Sequence, residues 1–342
     1  MSLPDQSAGV RDFEAWTVPY RRELLAHCYR MSGSIHDAED LLQETMLRAW
    51  RAADRYDPER ASVRTWLYRI ATNVCLTALK GRARRPLPSL LVAPSRDPGE
   101  PLVPDGEVRW LEPFPGDVTV AEGADPAMQA MARESLRLAF VVAAQQLPVS
   151  QRAVLVLREV LQWSAAEVAD CLDLSVPAVN SRLQRARATM RRTHDAGGGV
   201  ASDDVAVHAL SDEDRAVVER YVAAFERADV AALVELLHRD VVLEMPPVPL
   251  WYSGNDRYGA FMERVFAMRG RDWRTIPIEA NGQAGFAAYA CGDDGRYHQH
   301  TLQVLDVRAG RVVHNVVFAD PSLFARFGLP ALLDAEEGRR DR

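Results

Sequence analysis

Lysine is all but absent: Lys80 is the only one among 41 basic residues. A GC-rich genome accounts for such an arginine bias without any function, so arginines inform only where they cluster. Cysteine is sparse as well. Cys28, Cys75, Cys171 and Cys291 form no C-x-x-C pair and no zinc-finger spacing with histidine. A disulfide framework and a structural metal are therefore not expected, and the four read as small apolar packing residues in a reducing compartment. No stretch approaches the roughly 20 apolar residues of a membrane helix, the run from Leu138 to Ala144 being far too short. The opening MSLPDQSAGVRD lacks a basic segment followed by an apolar one, so no signal peptide, no membrane partner and a cytoplasmic location are expected.

What is present is a soluble composition with an uneven charge. Hydrophobic residues make up 48% and charged ones 26% of 342 residues, which suits two or three globular domains. The net charge of −7 conceals alternating blocks. Residues 11–86 carry fourteen basic against ten acidic groups, 87–130 two against eight, 131–193 nine against five, and 194–342 sixteen against twenty-four. Phosphate contact needs local positive charge, so two basic blocks around an acidic spacer are compatible with nucleic acid despite the negative total.

Periodicity gives the organisation. Apolar residues recur at helical spacing from Phe13 to Leu79, with breaks at Gly33-Ser34 and Asp57-Pro58. In the second helix Ala38, Leu41, Leu42, Thr45, Met46, Ala49 and Trp50 read as one buried stripe opposite a charged face. Residues 87–130 are rich in proline, glycine and acid, with one aromatic island, Trp110-Leu111-Glu112-Pro113-Phe114-Pro115, which reads as a docked segment. Helical spacing returns over 131–193, a glycine-containing hinge follows at 194–209, and a charged tail occupies 331–342. Between them, 210–330 reads as two helices (about 211–227 and 229–238) and then strands, the last two forming a hairpin about Arg308-Ala309-Gly310. The expected fold is multidomain: two all-α modules, then an α+β cone.

The segment 164–191 has the grammar of a helix-turn-helix. Ser164 and Ser175 stand as N-caps, Val168, Ala169 and Leu172 point inward on the first helix, and Val179, Leu183, Ala186 and Met190 mark the buried stripe of the second. Asn180, Ser181, Arg182, Gln184, Arg185 and Arg187 fall on or beside its exposed face, where arginine suits guanine or phosphate and the amides suit adenine. A solvated arginine-rich hairpin would look similar. In the first block Arg64-Thr65-Trp66-Leu67-Tyr68-Arg69 leads into Lys80, Arg82, Arg84 and Arg85. Aromatic and basic groups so interleaved suit an unstacked strand, although Trp66 itself reads as core.

These runs carry a resemblance. Asp37-Ala38-Glu39-Asp40-Leu41-Leu42-Gln43-Glu44-Thr45, Thr65 to Asn73 and Arg84-Arg85-Pro86 resemble region 2 of the sigma-70 family, extracytoplasmic-function group. Leu147-Pro148 through Glu167-Val168-Ala169 to Ser181-Arg182-Leu183-Gln184-Arg185-Ala186-Arg187 resembles region 4. The resemblance implies a promoter-recognition factor whose partners are core RNA polymerase and promoter DNA, with no cofactor. It implies polymerase contact by Asp37, Glu39, Asp40, Gln43, Glu44 and Arg48. Bases of the melted −10 element would be captured by the loop 56–64 with Arg60, Arg64, Asn73, Lys80, Arg82, Arg84 and Arg85. The −35 element would be read by the exposed residues of the recognition helix, and the acidic linker would thread the RNA exit path of the polymerase.

Region 210–330 resembles the SnoaL-like polyketide cyclases of the nuclear transport factor 2-like superfamily. Such a domain follows some sigma modules, with a W-L-x-P-x-P element and a glycine-rich hinge; here the hinge departs from that pattern at Val200. The resemblance implies a conical pocket, for which Glu244, Trp251, Tyr252, His298, His300 and His314 are the candidate lining, open to an unknown small ligand. His298 and His300, two apart on a strand, are expected to share a face. No catalytic residue and no metal site is assigned. Docking between domains is expected of Trp110, Leu111, Pro113, Phe114, Asp320 and Phe324. Two rival readings remain open: a pocket enzyme fused to a DNA-binding module, and a stand-alone helix-turn-helix regulator. The latter leaves residues 13–86 unexplained.

Overall fold

A computed structural model describes residues 13, 15–116, 126–196 and 211–334. Most of the expected hinge, and the tail from 335 onward, lie outside the described residues. The chain divides into two compact units, Met1–Arg84 with Val118–His194, and Arg85–Asp117 with Asp195–Arg342.

In the first unit α1 (Arg21–Ser32) is followed by α2 (Ile35–Ala52) and α3 (Val63–Leu79), and the latter two start on side-chain caps. Ser34 accepts from the Asp37 amide and Ser62 from that of Thr65, so one orphan donor is satisfied at the start of each of these two helices. Gly33 ends α1 at φ 72°, and a Cβ there would meet the Gln145 side chain at 2.9 Å, so both backbone and packing require glycine. Then come α4 (Pro126–Glu134), α5 (Leu138–Gln145), α6 (Val149–Leu155) with a π turn over Val156–Val160, α7 (Ala165–Leu172) and α8 (Val176–Ala196). Ser164 and Glu167 form a reciprocal capping box on α7.

Two buried arginines tie the first three helices to the rest of this unit. Arg30 donates to Ser135 Oγ and the Ala132 carbonyl, both at 2.9 Å. Arg152 donates to the carbonyls of Met31, Ala144 (2.9 Å), Gln145 (3.1 Å) and Leu147 (3.2 Å) and to Gln145 Oε1 (2.6 Å). It thus saturates the carbonyl ends of α1 and α5, where a helix dipole favours a cation. Burial nonetheless lowers its pKa to about 10.

The second unit packs α9 (Asp212–Glu226), α10 (Val230–Leu236) and α11 (Asn255–Arg269) on a sheet ordered β2-β1-β6-β5-β4-β3. The strands are β1 (Leu237–Glu244), β2 (Trp251–Ser253), β3 (Trp273–Ala280), β4 (Gln283–Cys291), β5 (Tyr297–Arg308) and β6 (Arg311–Phe318). A short α12 (Ser322–Arg326) follows, and β7 (Leu332–Leu333) pairs with the start of β5. Among the described residues only the β1–β6 pairing is parallel. The β5–β6 turn uses Ala309 (φ 48°) and Gly310 (φ 70°), the two positive values that a two-residue hairpin of matching twist requires. Phe225, Phe266, Trp273 and Phe286 interlock edge to face at the centre of the core.

The periodicity reading needs four corrections. Trp50 is not core but 49% exposed, because the stripe of α2 turns away before the helix ends. On α7 it is Cys171 that is buried while Leu172 is half-buried, and Met190 on α8 is half-buried too. His298 and His300 do not share a face. Tyr289 pairs with Gln299 and Ala288 with Thr301, so His300 is the extra residue of a β-bulge that breaks the alternation.

Candidate nucleic-acid and polymerase interface

On α8, Val179, Leu183 and Ala186 are buried, and Asn180, Ser181, Gln184, Arg185 and Arg187 stand exposed with Arg182 half-buried beside them. The turn before it is built by Asp173 at φ 51° and by Ser175, whose Oγ accepts from the Ala178 amide at 3.3 Å. A rigid helix thereby presents one polar face. Arg185 folds back on the Ser181 carbonyl (3.3 Å), and Arg187 is paired with Glu159 at 2.5 Å. Arg187 must break that pair before it can hold a phosphate.

On α2, Asp40, Gln43 and Arg48 are exposed and Asp37, Glu39 and Glu44 half-buried. Arg48 pairs with Glu44 at 2.6 Å, one helical turn apart. Beside them Leu47 is 39% exposed, and with Trp50 it makes an apolar patch that the hydrophobic pattern did not reveal. A signal was available: Leu47 falls outside the period that defines the core stripe.

The basic residues expected to meet the −10 element separate into two sets. Arg60, Asn73, Lys80, Arg82 and Arg84 are exposed. Arg82 lies 3.5 Å from Asp37, and Arg84 lies 3.5 Å from Gln146. Arg64 is instead engaged internally: Nε and Nη2 hold the buried Glu23 at 2.9–3.1 Å, and the guanidinium lies over the Tyr68 ring. Arg85 is buried in the second unit, donating to the Trp110 carbonyl at 2.7 Å and lying 3.5 Å from Glu112. Neither is a solvent-facing cation, because each was needed to satisfy a buried acceptor. His27, bonded to Thr72 Oγ1 at 3.0 Å, has its pKa lowered to about 3 by burial and then by Arg30.

The second unit binds the linker along its length. Phe114 and Asn281 exchange hydrogen bonds of 2.8 Å, and the Gly116 amide donates to the Glu279 carbonyl at 2.7 Å, so the aromatic island is added at the edge of the β3–β4 hairpin. Trp110, Leu111, Pro113 and Phe114 are buried. Ser89 donates its amide to Glu244 at 2.8 Å, Trp251 Nε1 donates to the Val92 carbonyl at 2.9 Å, and the Tyr252 hydroxyl to that of Asp97 at 3.2 Å. Arg264 clasps the Pro98 and Glu100 carbonyls at 2.7 and 2.6 Å.

The six residues expected to line one pocket are therefore not gathered around one. Glu244, Trp251 and Tyr252 hold the linker backbone, with His314 donating or accepting at 2.9 Å from Glu244. His298 is exposed beside Asp294. His300 packs edge-on against Trp273, and burial, then Arg269, lowers its pKa to about 4. The inside of the cone is filled by a polar knot in which Asn315 Nδ2 donates to Tyr258 Oη (2.7 Å), Tyr221 Oη (3.3 Å) and Gln303 Oε1 (2.9 Å). A cavity of about 250 Å³ lies elsewhere, between linker and cone base, lined among others by Arg85, Trp110, Leu111, Pro247, Asp320 and Leu323. Phe324, fully buried, stacks edge-on with Tyr289 at 5.4 Å.

Comparison with known proteins identifies the families of the three parts of the chain. Residues 17–85 match the sigma-70 region 2 family, 137–190 the sigma-70 region 4 family, and 218–315 the SnoaL-like domain family. The chain is 51% identical to the ECF RNA polymerase sigma factor SigG of Mycobacterium tuberculosis (strain CDC 1551 / Oshkosh) over 321 residues, 93% of this chain and 84% of that protein. It is 30% identical to SigJ of Mycobacterium tuberculosis (strain ATCC 25618 / H37Rv), another ECF RNA polymerase sigma factor, over 264 residues, 77% of this chain and 70% of the other. The crystal structure of M. tuberculosis SigJ aligns with a TM-score of 0.58 at 25% identity, covering 94% of this chain and 99% of that one. Among the described residues, no helix is long and apolar enough to cross a membrane.

Proposed function

Because the chain belongs to the extracytoplasmic-function sigma factors of RNA polymerase, with a SnoaL-like domain fused behind regions 2 and 4, we propose how its surfaces divide the work. The exposed face of α2 (Asp40, Gln43, Arg48, with Leu47 and Trp50) binds core polymerase. Arg60, Asn73, Lys80, Arg82 and Arg84 take the melted −10 strand. Asn180, Ser181, Arg182, Gln184 and Arg185 read and hold the −35 element. The observation that carries this reading is the clean partition of α8 into a buried apolar stripe and an exposed amide and arginine face. Sigma factors are not enzymes, and the protein acts where the polymerase is, in the cytoplasm.

The SnoaL-like domain restrains the factor by holding the linker. A segment bonded at Ser89, Val92, Asp97, Pro98 and Phe114 to one domain is not free to thread a polymerase channel at the same time. A small ligand is the second reading, favoured by the cavity between linker and cone base, where binding would strengthen the clasp. The test is in vitro transcription with core polymerase, comparing the full chain with Asn281→Ala/Arg264→Ala, which loosens the clasp without touching the promoter-binding faces. Promoter-specific transcripts should rise several-fold in the variant. Unchanged or lower output would refute restraint through the linker, and no specific initiation by either protein would refute the whole reading.

A further inference from the structure

At region 2 stands an aromatic ladder of which only Tyr56 lies in the loop given a role above. The Trp16 ring centroid lies 6.2 Å from that of Tyr56, and Tyr56 lies 5.1 Å from Trp66. The rungs come from three separate segments: the chain before α1, the loop entering α3, and α3 itself. Trp66 and Tyr56 are half-buried, while Trp16 on the outer rung is 40% exposed. Tyr56 is fixed in place, since its hydroxyl donates to the Ala61 carbonyl at 3.0 Å and closes the loop. Asp57 is turned into the same loop, accepting from the Glu59 amide at 2.9 Å, and Ser62 is used as the cap of α3. The exposed charged side chains of residues 54–60 are the guanidinium groups of Arg55 and Arg60 together with the carboxylates of Asp54, Asp57 and Glu59.

An exposed indole on a preorganised aromatic support has the chemistry of a stacking site for an unpaired nucleic-acid base. Every base has a π face, so stacking on the indole is independent of sequence. A protein partner is less well matched, because the shelf is a single ring and not an apolar groove. We propose that Trp16, supported by Tyr56, is a stacking shelf for one unpaired base of the melted −10 strand. Trp16 is a binding residue and Tyr56 its positioning residue. The proposal rests on the sigma reading above and adds a contact from outside the loop 56–64.

The test uses full-length protein with core polymerase on a promoter selected by initiation on genomic fragments, as a duplex and as the same sequence with a pre-opened bubble. A non-template −10 oligonucleotide carrying 2-aminopurine at successive positions reports stacking directly. Trp16→Ala should lower open-complex formation on the duplex roughly tenfold, less on the bubble, and abolish 2-aminopurine quenching at one position. Trp16→Phe should restore both, with core affinity the same for all three proteins. Wild-type rates for Trp16→Ala would overturn the proposal. So would a loss of core affinity in that variant, which would make Trp16 a polymerase contact. If wild-type protein initiates on neither template, the sigma reading fails first and takes the shelf with it.

Discussion

The two units bury polar groups in opposite ways. In the first, Arg30 and Arg152 are nearly inaccessible and bind mainly main-chain carbonyls at helix ends, so side chains from one part of the unit complete the backbone of another. In the second, Tyr221, Tyr258, Gln303 and Asn315 bond to one another as side chains inside a single cone, with Asn315 Oδ1 left without a partner among the described residues. The surfaces differ too. The first unit keeps most of its recognition groups exposed, whereas the second gives the face of Glu244, Trp251 and Tyr252 to the linker. Unit one is held by bonds between helix ends, and unit two by a closed interior.

The sharpest way to break this comparison is to remove one hub from each side. Arg152→Met leaves the carbonyls of Met31, Ala144, Gln145 and Leu147 without their buried donor, and should cost about 3–5 kcal/mol. Asn315→Leu leaves the two tyrosine hydroxyls bonded to each other and should cost about 1–2 kcal/mol. Urea titrations would show it; equal losses would mean that both hubs are of one kind.

Acid should weaken both units through buried neutral histidines. His27 and His300 have folded pKa values depressed to about 3 and about 4, against an ordinary 6.5. Unfolded chains therefore bind more protons below 6.5. Stability is full above that pH, declines on acidification from 6.5 to 4 through both groups, and from 4 to 3 through His27 alone. Within the window each contributes about 1.4 kcal/mol per pH unit. A denaturation midpoint that does not move between pH 7.5 and pH 5 would show that both imidazoles reach water.

The one effect that leaves stability untouched concerns the exposed face of α8. Arg185→Ala should weaken holoenzyme binding at the −35 element by about 1–3 kcal/mol with no change in melting temperature. Unchanged promoter affinity would remove Arg185 from the reading set and leave Arg182 and Asn180 as the contacts to test.

Local chemistry made much of this legible. Ser164 and Ser175 cap helices because a cap needs only its own next three residues, and the hairpin at Ala309-Gly310 is encoded by its turn, whereas Ser34, read as a helix end, caps the helix that follows. The strand Trp273–Ala280 and helix Asn255–Arg269 were missed, their patterns being blurred by residues that face other elements. The recognition face of α8 was readable because one helical period defines it. The candidate pocket was not, because a one-residue bulge at His300 changes which residues share a face.

The sequence by itself determined the two sigma modules, their order and the cone behind them, since capping, periodicity and motif spacing act over a few residues. Only the tertiary structure decided which basic groups are spent inside. Arg84 and Arg85 are neighbours in a basic run, yet one is exposed and the other buried against Trp110. Tertiary packing also decided that the acidic linker is clasped by the SnoaL-like domain, and that Trp16 meets, tilted, the ring of Tyr56 forty residues away. These depend on contacts distant in sequence, where burial and hydrogen-bond satisfaction outweigh local preference.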